Sequence, residues 1–92
     1  MSEAAVVVGG VAVSVESAHD GWTYNVVGPF AGRLLVVKGA FAAPKGTTAT
    51  EALRTLMKAL SEIDTSTDTG DIGRWVDQNR EALRKGPDGQ EG

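Results

Sequence analysis

An α+β domain is predicted, an antiparallel β-meander of three or four strands followed by two C-terminal α-helices, and three observations predict it. Apolar residues alternate with period two through the first half of the chain. Gly-Gly, Asp-Gly and Gly-Pro pairs punctuate that pattern, and from Gly46 onward the apolar period changes to that of a helix.

Val11, Val13 and Val15 alternate with Ala12, Ser14 and Glu16, which puts the valines on one face of a half-buried strand. The preceding Val6-Val7-Val8 is either a separate short strand turned by Gly9-Gly10 or the same strand carrying a glycine bulge, because two glycines meet both geometries without a Cβ penalty. Asp20-Gly21 suits the positive φ angles of a tight hairpin, and Trp22-Thr23-Tyr24-Asn25-Val26-Val27 follows it with Trp22, Tyr24 and Val26 on one face. Gly28-Pro29 breaks this strand and Gly32 closes the next turn. Arg33-Leu34-Leu35-Val36-Val37-Lys38 then reads as a strand apolar on both faces, as expected of one interior to the sheet or covered by helices.

In the second half Ala49, Ala52, Leu53, Leu56, Met57, Leu60 and Ile63 form one continuous helical stripe. Thr48-Ala49-Thr50-Glu51 has the spacing of a capping box at its start. Residues 64–70 are a polar linker. A second helix is expected from about Asp71, burying Ile72, Trp75, Val76 and Leu83, with Arg80, Arg84 and Lys85 at its negative end and Gly86-Pro87 as its stop. The organisation is therefore one domain over 1–86 with a disordered tail over 87–92.

Composition narrows the function classes. Hydrophobic residues make up 41 % of the 92 residues and charged residues 23 %, the ordinary balance of a folding chain. With no cysteine there is no disulfide framework, thiol nucleophile or Cys-type zinc site, and a core this small gains from a partner subunit. Nine Lys and Arg against twelve Asp and Glu leave a net charge of −3, the wrong sign for a domain that lives on phosphate contacts. The apolar stretch 4–15 is interrupted by Gly9-Gly10 and lacks both a basic leader and the ~18 apolar residues of a spanning helix, so the expectation is a cytoplasmic chain without membrane attachment.

No motif in the chain carries a complete chemistry. Ser17, His19 and Asp20 are the residue types of a triad, but they are nearly consecutive, whereas a triad converges from separate parts of a fold. His19 is the only histidine, so a metal or acid–base site would need carboxylates alone. Asp64, Ser66, Asp68 and Gly70 place oxygen ligands at alternate positions, yet Thr69 and Trp75 stand where a calcium loop needs its glycine and its bidentate glutamate. Lys45-Gly46-Thr47-Thr48 opens a helix without completing a phosphate-binding loop, and helix capping accounts for it. Arg54 and Lys58 share a solvent face of the first helix. Trp22, Tyr24, Phe30, Phe41 and Trp75 are too scattered for a base-stacking platform and fit a core or a dimer contact.

Asp20-Gly21-Trp22-Thr23-Tyr24 at the hairpin and Gly46-Thr47-Thr48-Ala49-Thr50-Glu51-Ala52-Leu53 at the helix start, with the strands between, give residues 11–63 an order that resembles the HicB-like antitoxin domain. That resemblance implies a sheet covered by one helix, an oligomer, and the masking of a small toxin RNase. The family's Pro-Gly-Cys connection and its basic DNA-binding module have no counterpart here.

The expectation is thus a non-catalytic protein-interaction module acting as an oligomer, antitoxin-like or a structural component of a larger assembly such as a phage particle, with a nucleic-acid-binding regulator as the remaining alternative. Its partners are copies of itself and another protein, it uses no cofactor, and Trp22, Tyr24, Phe30, Phe41, Arg54, Lys58 and Trp75 are its candidate interaction surface.

Overall fold

The computed structural model of the chain describes residues 2–30, 32–66 and 70–87, the side chain of Phe30 excepted; residues 88–92 of the tail expected at 87–92, and part of the linker, 67–69, lie outside the described residues. Four strands, β1 (Glu3–Val8), β2 (Val11–Ala18), β3 (Gly21–Phe30) and β4 (Arg33–Phe41), precede two helices, α1 (Ala49–Ser61) and α2 (Asp71–Lys85). The strands form one antiparallel sheet in the order β1-β2-β3-β4, so the fold is α+β.

Gly9 and Gly10 take φ of 56° and 81° between the paired residues Val8 and Val11. They are a tight hairpin turn, which settles the choice between turn and bulge: two consecutive positive φ angles match the twist of the flanking strands, and glycine adopts them without strain. The next turn is one residue earlier than Asp-Gly chemistry suggests. His19 and Asp20 occupy it, and Gly21 opens β3 paired with Ala18. Glycine is required at 21 for a different reason, since a Cβ there would stand 2.8 Å from the Phe41 carbonyl oxygen.

One face of the sheet is the core. Val8, Val11, Val13, Val15, Trp22 and Val26 meet Ala52, Leu53, Leu56 and Met57 of α1 and Trp75, Val76 and Leu83 of α2, all buried. α1 packs on β2 and β1, and α2 on β1. The expectation that the Arg33–Lys38 strand lies inside the sheet or under helices is therefore corrected: β4 is an edge strand, with Leu34 73 % and Val36 46 % exposed. A meander lays each strand beside the previous one, so the last strand ends at an edge, and here the helices return over the half of the sheet built first.

Helix termini follow the local chemistry of the sequence. The Thr48 backbone N–H donates to Glu51 Oε1 at 3.0 Å and the Glu51 N–H donates to Thr48 Oγ1 at 3.2 Å, the reciprocal capping box. The Thr48 backbone N–H, with its hydroxyl, holds the Glu51 carboxyl below the usual carboxylate range. A depressed folded-state pKa contributes stability above the unfolded value and loses it as pH falls through the folded one. Wild-type chain is accordingly expected to lose more thermal stability between pH 7 and about pH 3 than Glu51→Gln does; equal losses in paired melts would show that the box carries no charge-dependent stability.

Two contacts join α2 to the first hairpin. Trp75 Nε1 donates to the Val8 carbonyl at 3.0 Å, and the Asn79 amide, which donates to the Trp75 carbonyl at 2.9 Å, lies so close to Gly9 that a Cβ there would meet it at 2.6 Å. Asn79 leaves helical geometry at φ −120°, ψ 18°, so α2 bends where it meets the turn.

Candidate interaction surface

The sequence-predicted surface residues fall into three places. Trp22 and Trp75 are 7 % and 5 % exposed and belong to the core, which corrects their assignment to the interaction surface: Trp22 sits on the helix-covered face of β3, and the Trp75 indole reaches through the core to Val8. Tyr24 and Phe41 come together. They are half-buried on β3 and β4, with ring centroids 6.3 Å apart at 43°, and with Leu56, Leu60 and Ile63 they line an open groove of about 440 Å3 between α1 and the β4 side of the sheet. The Tyr24 ring lies across Gly39, its partner in register, so closely that a Cβ there would meet it at 2.4 Å. Arg54 and Lys58 are exposed on the outer side of α1, where the Arg54 stem lies against Gly86 at the end of α2. They do not join the aromatic pair. The side chain of Phe30 lies outside the described residues.

The second face of the sheet carries residues that periodicity placed without showing whether anything covers them. In register across all four strands it presents the row Val7, Ala12, Val27, Val36, then Ala5, Ser14, Asn25, Lys38, then Glu3, Glu16, Thr23, Ala40. Neither helix lies on this face. Apolar character is concentrated at the end nearest the Gly9-Gly10 turn, where Leu34 and Pro29 pair beside the valine row; Val7 is 62 % exposed. The opposite end is polar, and Glu3 and Glu16 sit directly opposite each other there.

Polar side chains elsewhere are engaged locally. His19 and Asp20 stand 3.9 Å apart at a hairpin tip, 97 % and 94 % exposed, while the Ser17 hydroxyl accepts the Ser2 N–H at 3.0 Å, so these three side chains do not converge. Asp64 Oδ1 accepts the Ser66 N–H at 2.9 Å, and that backbone donor, followed by the Ser66 hydroxyl, lowers its pKa. Among the described residues no group of three His, Asp or Glu side chains is placed to hold a metal ion, and no helix is long and apolar enough to cross a membrane.

Arg80 has a role that its place in a helical charge pattern does not reveal. Its guanidinium donates to the Ser61 carbonyl, to the Ile63 carbonyl at 3.1 Å and to Thr65 Oγ1 at 3.1 Å, with Asp77 at 3.8 Å. It closes the C-terminal end of α1 and fixes the start of the linker, and so holds Ile63 at the rim of the Tyr24–Phe41 groove. No protein-family model, curated protein or solved structure gives a significant match to this chain.

Proposed function

We propose that the protein is a small, non-catalytic protein-interaction module that acts as an oligomer in the cytoplasm. One observation carries this reading: β4 ends the sheet with an unpaired edge and apolar side chains on both of its faces, so a strip of Leu34, Leu35, Val36, Val37 and Phe41 is covered on one flank only. Exposed apolar surface rimmed by polar residues is characteristic of association sites. An antitoxin-like regulatory binder is the form that the resemblance of residues 11–63 suggests, with a small toxin RNase as the second protein. A scaffold component is the alternative favoured by a separate observation, the presence of a free edge on each side of the sheet, β1 and β4, since a head-to-tail contact between unlike edges repeats from copy to copy into a ring or an open filament.

Mass by light scattering after size exclusion, over a concentration series with no partner added, tests the reading. A discrete dimer or tetramer is expected. Open-ended assembly would give first place to the scaffold, and a mass fixed at the 9.6 kDa monomer at every concentration would overturn the oligomer.

A further inference from the structure

We propose that β4 is where two copies of this chain meet, pairing antiparallel about a two-fold axis perpendicular to the sheet, so that two four-stranded sheets become one of eight strands. This rests on the oligomer reading above and adds its geometry. Exposed sheet edges are ordinarily kept short, charged, kinked by bulges or covered. β4 runs nine residues, and its only charges are Arg33 and Lys38. Leu34 and Val36 face the open side, while Leu35, Val37 and Phe41 are half-buried on the helix side. Such a strand has the composition of one with neighbours on both flanks, yet among the described residues of one copy it has β3 alone. A second β4 supplies the missing neighbour.

The strand is compatible with itself. A two-fold axis of this kind keeps both pairs of helices on one side, so residues meet only others of the same face. Arg33 belongs to the helix-side set with Leu35, Val37 and Phe41, and Lys38 to the open-side set with Leu34 and Val36, so Arg33 and Lys38 never oppose each other. Centred on Val37, the pairing engages the whole strand: Val37 meets its own copy, Leu35 meets Gly39, Leu34 meets Ala40, Val36 meets Lys38 and Arg33 meets Phe41. The Lys38 stem covers Val36 while its ammonium stays in water, and the Arg33 guanidinium comes to the Phe41 ring. β1, the other edge, is six residues long, begins at Glu3 and is braced by both helices. An edge of nine residues is about 30 Å long, which places the interface near or below the ~1,200 Å2 of stable complexes; the dimer is therefore concentration-dependent.

The chain has no cysteine, so one introduced thiol reports one position. Leu35→Cys, Val36→Cys and Val37→Cys, with Val7→Cys on β1 as control, are oxidised as full-length protein over a concentration series and read by non-reducing mass. A disulfide dimer from Val37→Cys is expected, because a self-opposed pair in antiparallel strands brings its Cα atoms to about 4.5–5.5 Å, within disulfide range. Strongest crosslinking at position 36 or 35 also supports the pairing and moves its axis by one or two residues. Val36→Lys, an exposed change whose fold is checked by circular dichroism, sets two lysines opposite each other and is expected to raise the concentration at half-dimerisation at least tenfold. A wild-type oligomer that leaves all three β4 cysteines uncrosslinked, crosslinks through Val7→Cys, or ignores Val36→Lys overturns β4 pairing while the oligomer reading stands. A second protein seated on β4 of a monomeric chain overturns the self-pairing, and a monomer at every concentration overturns both readings.

Discussion

Trp75→Ala is expected to lower the free energy of unfolding by about 3–5 kcal/mol, the usual cost of truncating a buried tryptophan. Two losses combine at this site. The indole fills the space between α2 and the first hairpin at 5 % exposure, and its Nε1–H is the donor that reaches the Val8 carbonyl from across the core. Trp75→Phe separates them: the ring largely remains and the donor goes, with an expected cost of about 1–3 kcal/mol for a polar group left unsatisfied. Against a total stability of about 5–15 kcal/mol for a domain, the alanine variant sits close to unfolding. Urea titrations followed by far-ultraviolet circular dichroism check both variants. An alanine variant within about 1 kcal/mol of wild type would mean that α2 does not brace the hairpin.

Leu56→Ala is expected to cost about 2–5 kcal/mol as a large-to-small change at a buried position. Leu56 lies at 6 % exposure where the core gives way to the Tyr24–Phe41 groove, so its loss both leaves a cavity and removes part of the groove wall. A domain of this size shifts its melting temperature by about 4–8 °C per kcal/mol, which puts the expected fall at no less than about 8 °C. A shift within error would show that α1 presents a different face to the sheet.

What could be read from the residues was what neighbours in sequence decide. Thr48 and Glu51 are three apart, and their reciprocal bonds form as the spacing requires. Gly9-Gly10 marks a break in the strand pattern, but two glycines fit a turn and a bulge alike, and only the pairing of Val8 with Val11 makes it a turn. The His19-Asp20 turn was missed by one residue: the approach of the Phe41 carbonyl to Gly21, a contact made across strands, fixes where glycine must stand. Coverage of the sheet was harder still. The valines of β2 and the apolar run of β4 have equal claim to an interior on apolar pattern alone, and only the return path of the helices buries the first fully while leaving Leu35 half-buried and Leu34 exposed. Arg80 is a similar case, since carbonyls near residue 62 become its partners only once α2 lies beside the end of α1. Among the candidate surface residues the fold divides the aromatics, sending Trp22 and Trp75 inward and leaving Tyr24 and Phe41 at the groove.

The bond from Trp75 to Val8 joins residues 67 positions apart, and that separation orders events during synthesis. At about 5–20 residues per second, the first hairpin, complete at Ala18, leaves the ribosome roughly 3–11 s before the indole that locks it. For that interval Val8, Val11, Val13 and Val15 have α1 at most to shelter them, and the nascent sheet is open to nascent-chain chaperones. Protease protection of arrested chains would register this as a hairpin that stays cleavable until Trp75 has emerged, then closes with the last helix.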